Sequence, residues 1–213
     1  MSIRIAIIDQ RIPIQDPRFR HDLQTLVIGA QQTLRVGEND RPDRMLTWIR
    51  NQVEQTHSPS ETVDLDLVSH GAGADHEGCR VFWVNLGQAG ISSVNVHLWR
   101  SINGLVHKIR VYACGVNSDA YRPHIFTYRT AYPYRYSPGS MAPSPMRRCL
   151  TPAEDQHQLM RQLASHTGAQ VKYSLNTMLG ALQTQGRSQL FGTDRMLSPV
   201  FIAYPNGSRQ QLR

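Results

Sequence analysis

Cysteine is scarce. The 213 residues hold three, Cys79, Cys114 and Cys149, with no C-x-x-C pair among them. An odd, widely spaced set supports neither a disulfide framework nor a structural zinc site. Reduced, cytoplasmic-type chemistry is therefore the expectation. Nine histidines are present, but none stands in H-x-x-x-H or H-x-x-E-H spacing, so neither a metal nor another cofactor is expected. Long apolar runs are missing too, and none approaches the roughly 18 residues of a membrane span. The apolar opening Ile3–Ile8 meets Asp9 with no small-residue cleavage site behind it, and reads as a first strand rather than a secretion signal. Acidic residues are few, 16 against 23 Lys and Arg, for a net charge of +7. That balance permits an acidic partner without naming one.

What is present suits one sizeable α/β domain spanning 1–213: 40% of the residues are hydrophobic, enough for a packed core. Leu23, Leu26, Val27 and Leu34 suggest helical spacing between about Asp16 and Arg35. A clearer helix opens at Asp40-Arg-Pro-Asp, where Pro42 suits the first turn and Met45, Trp48, Ile49 and Val53 form one face. Val63–Val68 reads as a strand running into a glycine-rich turn at Ser69-His70-Gly71. Arg80–Val84 fits a short strand or hairpin arm. A helix of about ten residues is expected to carry Val96, Trp99 and Ile102. Lys108-Ile-Arg-Val-Tyr-Ala-Cys-Gly115 is the next strand. Thr151-Pro-Ala-Glu154 is a capping box opening a helix that Gly168 stops. Val171–Leu175 and Ser198–Gly207 are further strands, the last closing in an Asn-Gly turn. Strands alternating with helices imply a mainly parallel sheet covered on both faces. Trp48, Trp83 and Trp99 are expected in or near the core, and Cys79 reads as structural or incidental.

Residues 117–150 break the pattern. They hold five prolines, six Tyr or Phe side chains between Tyr121 and Tyr136, and five arginines against one acid, Asp119. A stretch this long without periodicity is usually functional or disordered, and it reads as an irregular insertion.

Two strands end alike, one in His70-Gly71 and the other in Ala113-Cys114-Gly115. In parallel α/β sheets, the carboxyl ends of neighbouring strands form the crevice where ligands sit. If these strands are neighbours, His70 and Cys114 face each other there. Cys114 follows His70 by 44 residues (114 − 70), near the roughly 50 that separate His and Cys in caspases. A thiol of pKa near 8.5 is only slightly ionised at neutral pH, and an adjacent imidazole raises the thiolate fraction. The same ring then protonates a leaving amine. Glycines beside both groups let backbone N–H groups approach a substrate carbonyl.

An apolar strand ending in His-Gly followed by one ending in Ala-Cys resembles the clan CD cysteine peptidases, which include caspases, gingipains, separase and the bacterial CHAT domains. Val68-Ser-His-Gly71, Val84-Asn-Leu-Gly87, Val111-Tyr-Ala-Cys-Gly-Val116 and the Leu163–Val171 block with Ser174 are similar to the bacterial CHAT/DUF4347 type. The similarity covers about half the chain and leaves out 1–60 and 117–150. It implies a caspase-like three-layer α/β/α sandwich around a mainly parallel sheet, and cysteine endopeptidase activity on a protein or peptide substrate. It also implies His70 as general acid/base, Cys114 as nucleophile, and the amides of Gly71 and Cys114 as oxyanion donors. Gly115-Val116 replaces the caspase Arg/Gln-Gly, so substrate preference does not transfer.

Asp66, on the strand leading to His70, and Asp119, five residues after Cys114, are both candidates for the floor of a pocket taking a basic side chain. Ser69 is a third candidate contact. Cys149, beside Arg147 and Arg148, is either a thiol of lowered pKa or a surface thiol. The alternative to an enzyme is a caspase-fold module that binds an acidic partner through the basic, aromatic stretch 121–148. Basic residues interleaved with aromatics also suit single-stranded nucleic acid. No RNP, KH or zinc-finger pattern accompanies them, so a nucleic-acid partner is disfavoured. The basic charge and compact size would equally suit a bacterial effector delivered to a host cell.

Overall fold

A computed structural model describes residues 2–11, 30–56, 61–76, 79–113, 150–175 and 199–212. Seven strands form one sheet: β1 (Ser2–Asp9), β2 (Gln32–Val36), β3 (Thr62–Val68), β6 (Lys108–Tyr112), β7 (Gln170–Ser174), β8 (Val200–Ala203) and β9 (Arg209–Leu212). Their spatial order is β2-β1-β3-β6-β7-β8-β9. The first five run parallel, and β8 and β9 close the edge antiparallel. The expected mainly parallel α/β sheet is thus present. A separate hairpin pairs β4 (His70–His76) with β5 (Cys79–Asn85).

Local chemistry sets the helices. In α1 (Pro42–Thr56), Pro42 takes the first position, where its missing N–H costs nothing. The Asp40 carboxylate ahead of it accepts from Gly37 N at 2.8 Å and also pairs with Arg44. Met45, Leu46, Ile49 and Val53 are buried, and Trp48 packs partly buried beside them. In α2 (Pro152–Thr167) the capping box is complete: Thr151 Oγ1 accepts from Glu154 N at 3.3 Å, and Thr151 N donates to the Glu154 carboxylate at 2.9 Å. Gly168 ends it with φ at 68°.

Three expectations need correction. The helix around Val96, Trp99 and Ile102 is a seven-residue 3-10 helix, Val96–Ile102. Its three buried residues recur every third position, which is the period of the tighter helix rather than of an α-helix. The region after Ser69 is not a turn, because His70 and Gly71 begin β4. There Gly71, Ala72, Gly73 and Ala74 pair in register with Val84, Trp83, Phe82 and Val81, although a run of glycine and alanine has little strand preference of its own. Leu34, taken with a helical stretch, belongs to β2; residues 16–29 of that stretch lie outside the described residues.

Side-chain alternation splits the sheet into unlike faces. Ile3, Ile5 and Ile7, Val63, Leu65 and Leu67, Ile109 and Val111, and Val171 and Tyr173 all enter one core with α1, α2 and the 3-10 helix. Coverage of both faces by helices is therefore not seen among the described residues. The other face carries Arg4, Asp64, Asp66, Arg110 and Lys172, with Ile8, Val68 and Tyr112 near the carboxyl ends. Asp66 is fully buried there. It accepts from Arg4 Nε at 2.5 Å and from Arg110 Nε at 2.6 Å, while Arg110 Nη1 lies 3.3 Å from Asp64.

Candidate active site at the carboxyl edge of the sheet

The carboxyl ends of β1, β3 and β6 lie side by side. β3 and β6 are parallel neighbours with Val68 opposite Tyr112, and Ser69 N donates to Tyr112 O at 3.0 Å. The strand leading to His70 and the strand leading to Ala113 thus reach the same edge together. Cys114, covalently next to the buried Ala113, lies outside the described residues, as do Asp119, Cys149 and the insertion at 117–150. The order β2-β1-β3 also places a topological switch point between β1 and β3, where ligands of open α/β sheets bind.

Asp9 closes β1 at this point and is wholly buried. Its carboxylate accepts from Arg11 N at 2.9 Å, Arg11 Nε at 2.8 Å, Arg11 Nη2 at 2.6 Å and Gly87 N at 3.0 Å. Arg11 Nη2 also donates to Gly87 O at 3.0 Å and Asn85 O at 3.3 Å. One ion pair therefore ties the end of β1 to the turn after β5. Gly87 has φ at 63°, and a Cβ there would sit 2.7 Å from Asp40 O, so only glycine lets this turn meet the start of α1.

His70 is half-buried, and its Nε2 lies 3.4 Å from Arg11 O. A carbonyl only accepts, so this nitrogen carries the proton and Nδ1 is the acceptor in the neutral ring. Burial pushes the His70 pKa down, with the Arg11 carbonyl and the Asp9 carboxylate pulling it back up and the Arg11 charge pushing it down again. The net result is a neutral imidazole at pH 7, able to take a proton through Nδ1.

The other sequence candidates are distributed unevenly. Gly71 is buried opposite Val84. Ser69 is buried, its hydroxyl turned to His70 O at 3.3 Å. Asp66 lies back along β3, its carboxylate engaged by Arg4 and Arg110. Sequence reasoning missed Asp9, Arg11 and Asn85 as site residues. The available signal was polar residues closing apolar runs, Ile5–Ile8 and Val81–Val84, at strand ends.

These features define an α/β protein with a mainly parallel sheet and a polar cluster at the carboxyl ends of β1 and β3. A scan of protein-family models and a search of curated proteins give no match to this chain. Among the described residues, no helix is long and apolar enough to cross a membrane.

Proposed function

We propose that this protein is a cysteine endopeptidase, a single domain of caspase-like three-layer fold with an inserted segment at about 117–150, and that Cys114 and His70 form its catalytic dyad. The observation that carries this reading is the parallel pairing of β3 with β6, which brings the strand preceding His70 and the strand preceding Cys114 to one edge of the sheet. The neutral, half-buried imidazole, with Nδ1 as its acceptor, supports the same reading.

In this mechanism the Cys114 thiol passes its proton to His70 Nδ1, and the thiolate attacks the scissile carbonyl carbon. The tetrahedral oxyanion is held by backbone N–H groups, those of Gly71 and Cys114 being the candidates. His70 then donates the proton to the departing amine as the C–N bond breaks, leaving a thioester. Water, deprotonated by the same ring, hydrolyses the thioester and restores the thiol. A protein or peptide is the substrate, no cofactor is required, and a cytoplasmic location fits the thiol chemistry.

The test is intact-protein mass spectrometry after treatment with acyloxymethyl-ketone peptides bearing Arg, Lys, Asp or Leu at P1. A single adduct on Cys114, absent in His70→Ala, is the expected result and gives the P1 class. No adduct with any probe, while a general alkylator still reaches Cys114, would overturn the peptidase reading in favour of a module that binds an acidic partner.

A further inference from the structure

Asn85 is the last residue of β5 and is 1% exposed. Neither Nδ2 nor Oδ1 has a hydrogen-bond partner. Folded chains rarely leave a buried amide unsatisfied on both sides, and each such group calls for an explanation. The β4–β5 register supplies one. Asn85 stands directly opposite His70, and residues directly opposite in an antiparallel pair project to the same side of the ribbon, with Cβ atoms about 4.5–5.5 Å apart. The orphaned amide and the imidazole are therefore side by side.

The ring itself is loosely held. Its Nε2 contact with Arg11 O, at 3.4 Å, lies outside the usual N–H···O range of roughly 2.7–3.2 Å. Among the described residues, the charged groups acting on His70 are Asp9 and Arg11. The Asp9 carboxylate is already wrapped by Arg11 and Gly87 N, and a guanidinium accepts nothing. When the ring takes up a proton it becomes a donor at both nitrogens. Among the described residues, Asn85 Oδ1 is an acceptor opposite the ring that has no donor of its own.

We propose that Asn85 is a positioning residue for His70: its amide oxygen takes over the Nε2–H from the Arg11 carbonyl when the ring is protonated, fixing the ring while Nδ1 exchanges a proton with the thiol. The role assigned to the ring rests on the peptidase reading; the Asn85–His70 contact does not. No bond is made or broken at Asn85, and the proton stays on Nε2 throughout.

The contact is tested by NMR titration of the full chain carrying 15N-labelled histidine and Cys114→Ala. Asn85→Ala is expected to lower the His70 midpoint by about one unit or more, a tenfold loss in protonation, as a hydrogen bond to a charged group implies. Asn85→Asp is expected to raise it by roughly one to three units. Asn85→Leu, apolar and similar in size, repeats the Ala result if the smaller side chain disturbs packing. An unmoved midpoint in folded Asn85→Asp and Asn85→Leu overturns the proposal. With Cys114 present, Asn85→Ala should lower kcat about ten- to a hundredfold at near-constant KM. Probes that fail on the native chain while the midpoints move sink the peptidase reading alone. Probes that label normally while the midpoints stay fixed sink the Asn85 proposal alone.

Discussion

Replacing Asp9 by asparagine keeps the shape of the side chain and removes its charge, which makes it the sharpest perturbation of this edge. The carboxylate accepts four hydrogen bonds, three of them from Arg11. Asparagine turns one acceptor oxygen into a donor facing donors, and takes the Asp9 charge away from the Arg11 guanidinium. Removing one member of a buried ion pair costs about 3–5 kcal/mol. The Arg11 side chain is 21% exposed, so water relieves part of the loss, and about 3 kcal/mol is expected. For a chain of this size that corresponds to a fall in Tm of roughly 6–12 °C. Urea and thermal unfolding followed by circular dichroism and tryptophan fluorescence read it directly. The double replacement Asp9→Leu with Arg11→Met should lose less than Asp9→Asn, because both charges of the pair are removed together. The same Asp9→Asn change should push the His70 pKa further down, since the carboxylate holds it up. Unchanged stability in Asp9→Asn would refute the claim that this pair fastens β1 to the turn after β5.

Three other outcomes are expected. Burial holds the His157 pKa down at about 4, and its Nδ1 lies 2.7 Å from the Tyr173 hydroxyl. Its contribution to stability is therefore whole above pH 6.5 and lost as pH falls towards 4, roughly 3 kcal/mol in all. The His70 shift acts in the same sense, and the raised Asp155 pKa opposes it at the acid end. Denaturant midpoints against pH should be flatter in His157→Gln than in the native chain. Asp66→Asn should cost about 2–3 kcal/mol, because Arg110, whose side chain is 11% exposed, loses the nearer of its two carboxylates and keeps only Asp64 at 3.3 Å; a loss under about 1 kcal/mol in urea melts would contradict it. Gly90→Ala would place a Cβ 1.4 Å from Trp83 Nε1 at a φ of +58°. A loss of about 3 kcal/mol and a red-shifted tryptophan emission are expected, and an unaltered spectrum would count against that contact.

How far the sequence alone reached depends on how local each cause is. The ends of α1 and α2 were legible because Pro42, Thr151, Glu154 and Gly168 act on backbone groups within a turn of themselves. The strand leading to His70 and the one leading to Cys114 were legible as apolar runs. That they are neighbours was a conditional that the pairing of Val68 with Tyr112 makes good. β4 was not legible, because glycine and alanine carry no period-two signal and the strand exists through what stands opposite. The partners of Asp9 were hidden for a related reason. Gly87 is 78 residues away along the chain, and no local pattern connects them.

The charged face of the sheet has a consequence for assembly of the proposed dyad. Across β1, β3, β6 and β7, one row reads Ala6, Asp66, Arg110 and Lys172, and its neighbour reads Arg4, Asp64, Lys108 and Gln170. Sliding β6 by one residue against β3 would drive Arg110 into the apolar core and turn Ile109 out among carboxylates. A purely apolar pair of parallel strands has no such tally marks and tolerates misalignment more readily. Here the ion pairs of Asp66 work like the teeth of a vernier, indexing one strand against the other. The distance along the edge between His70 and the end of β6 is thereby fixed several residues upstream, by side chains outside the proposed dyad.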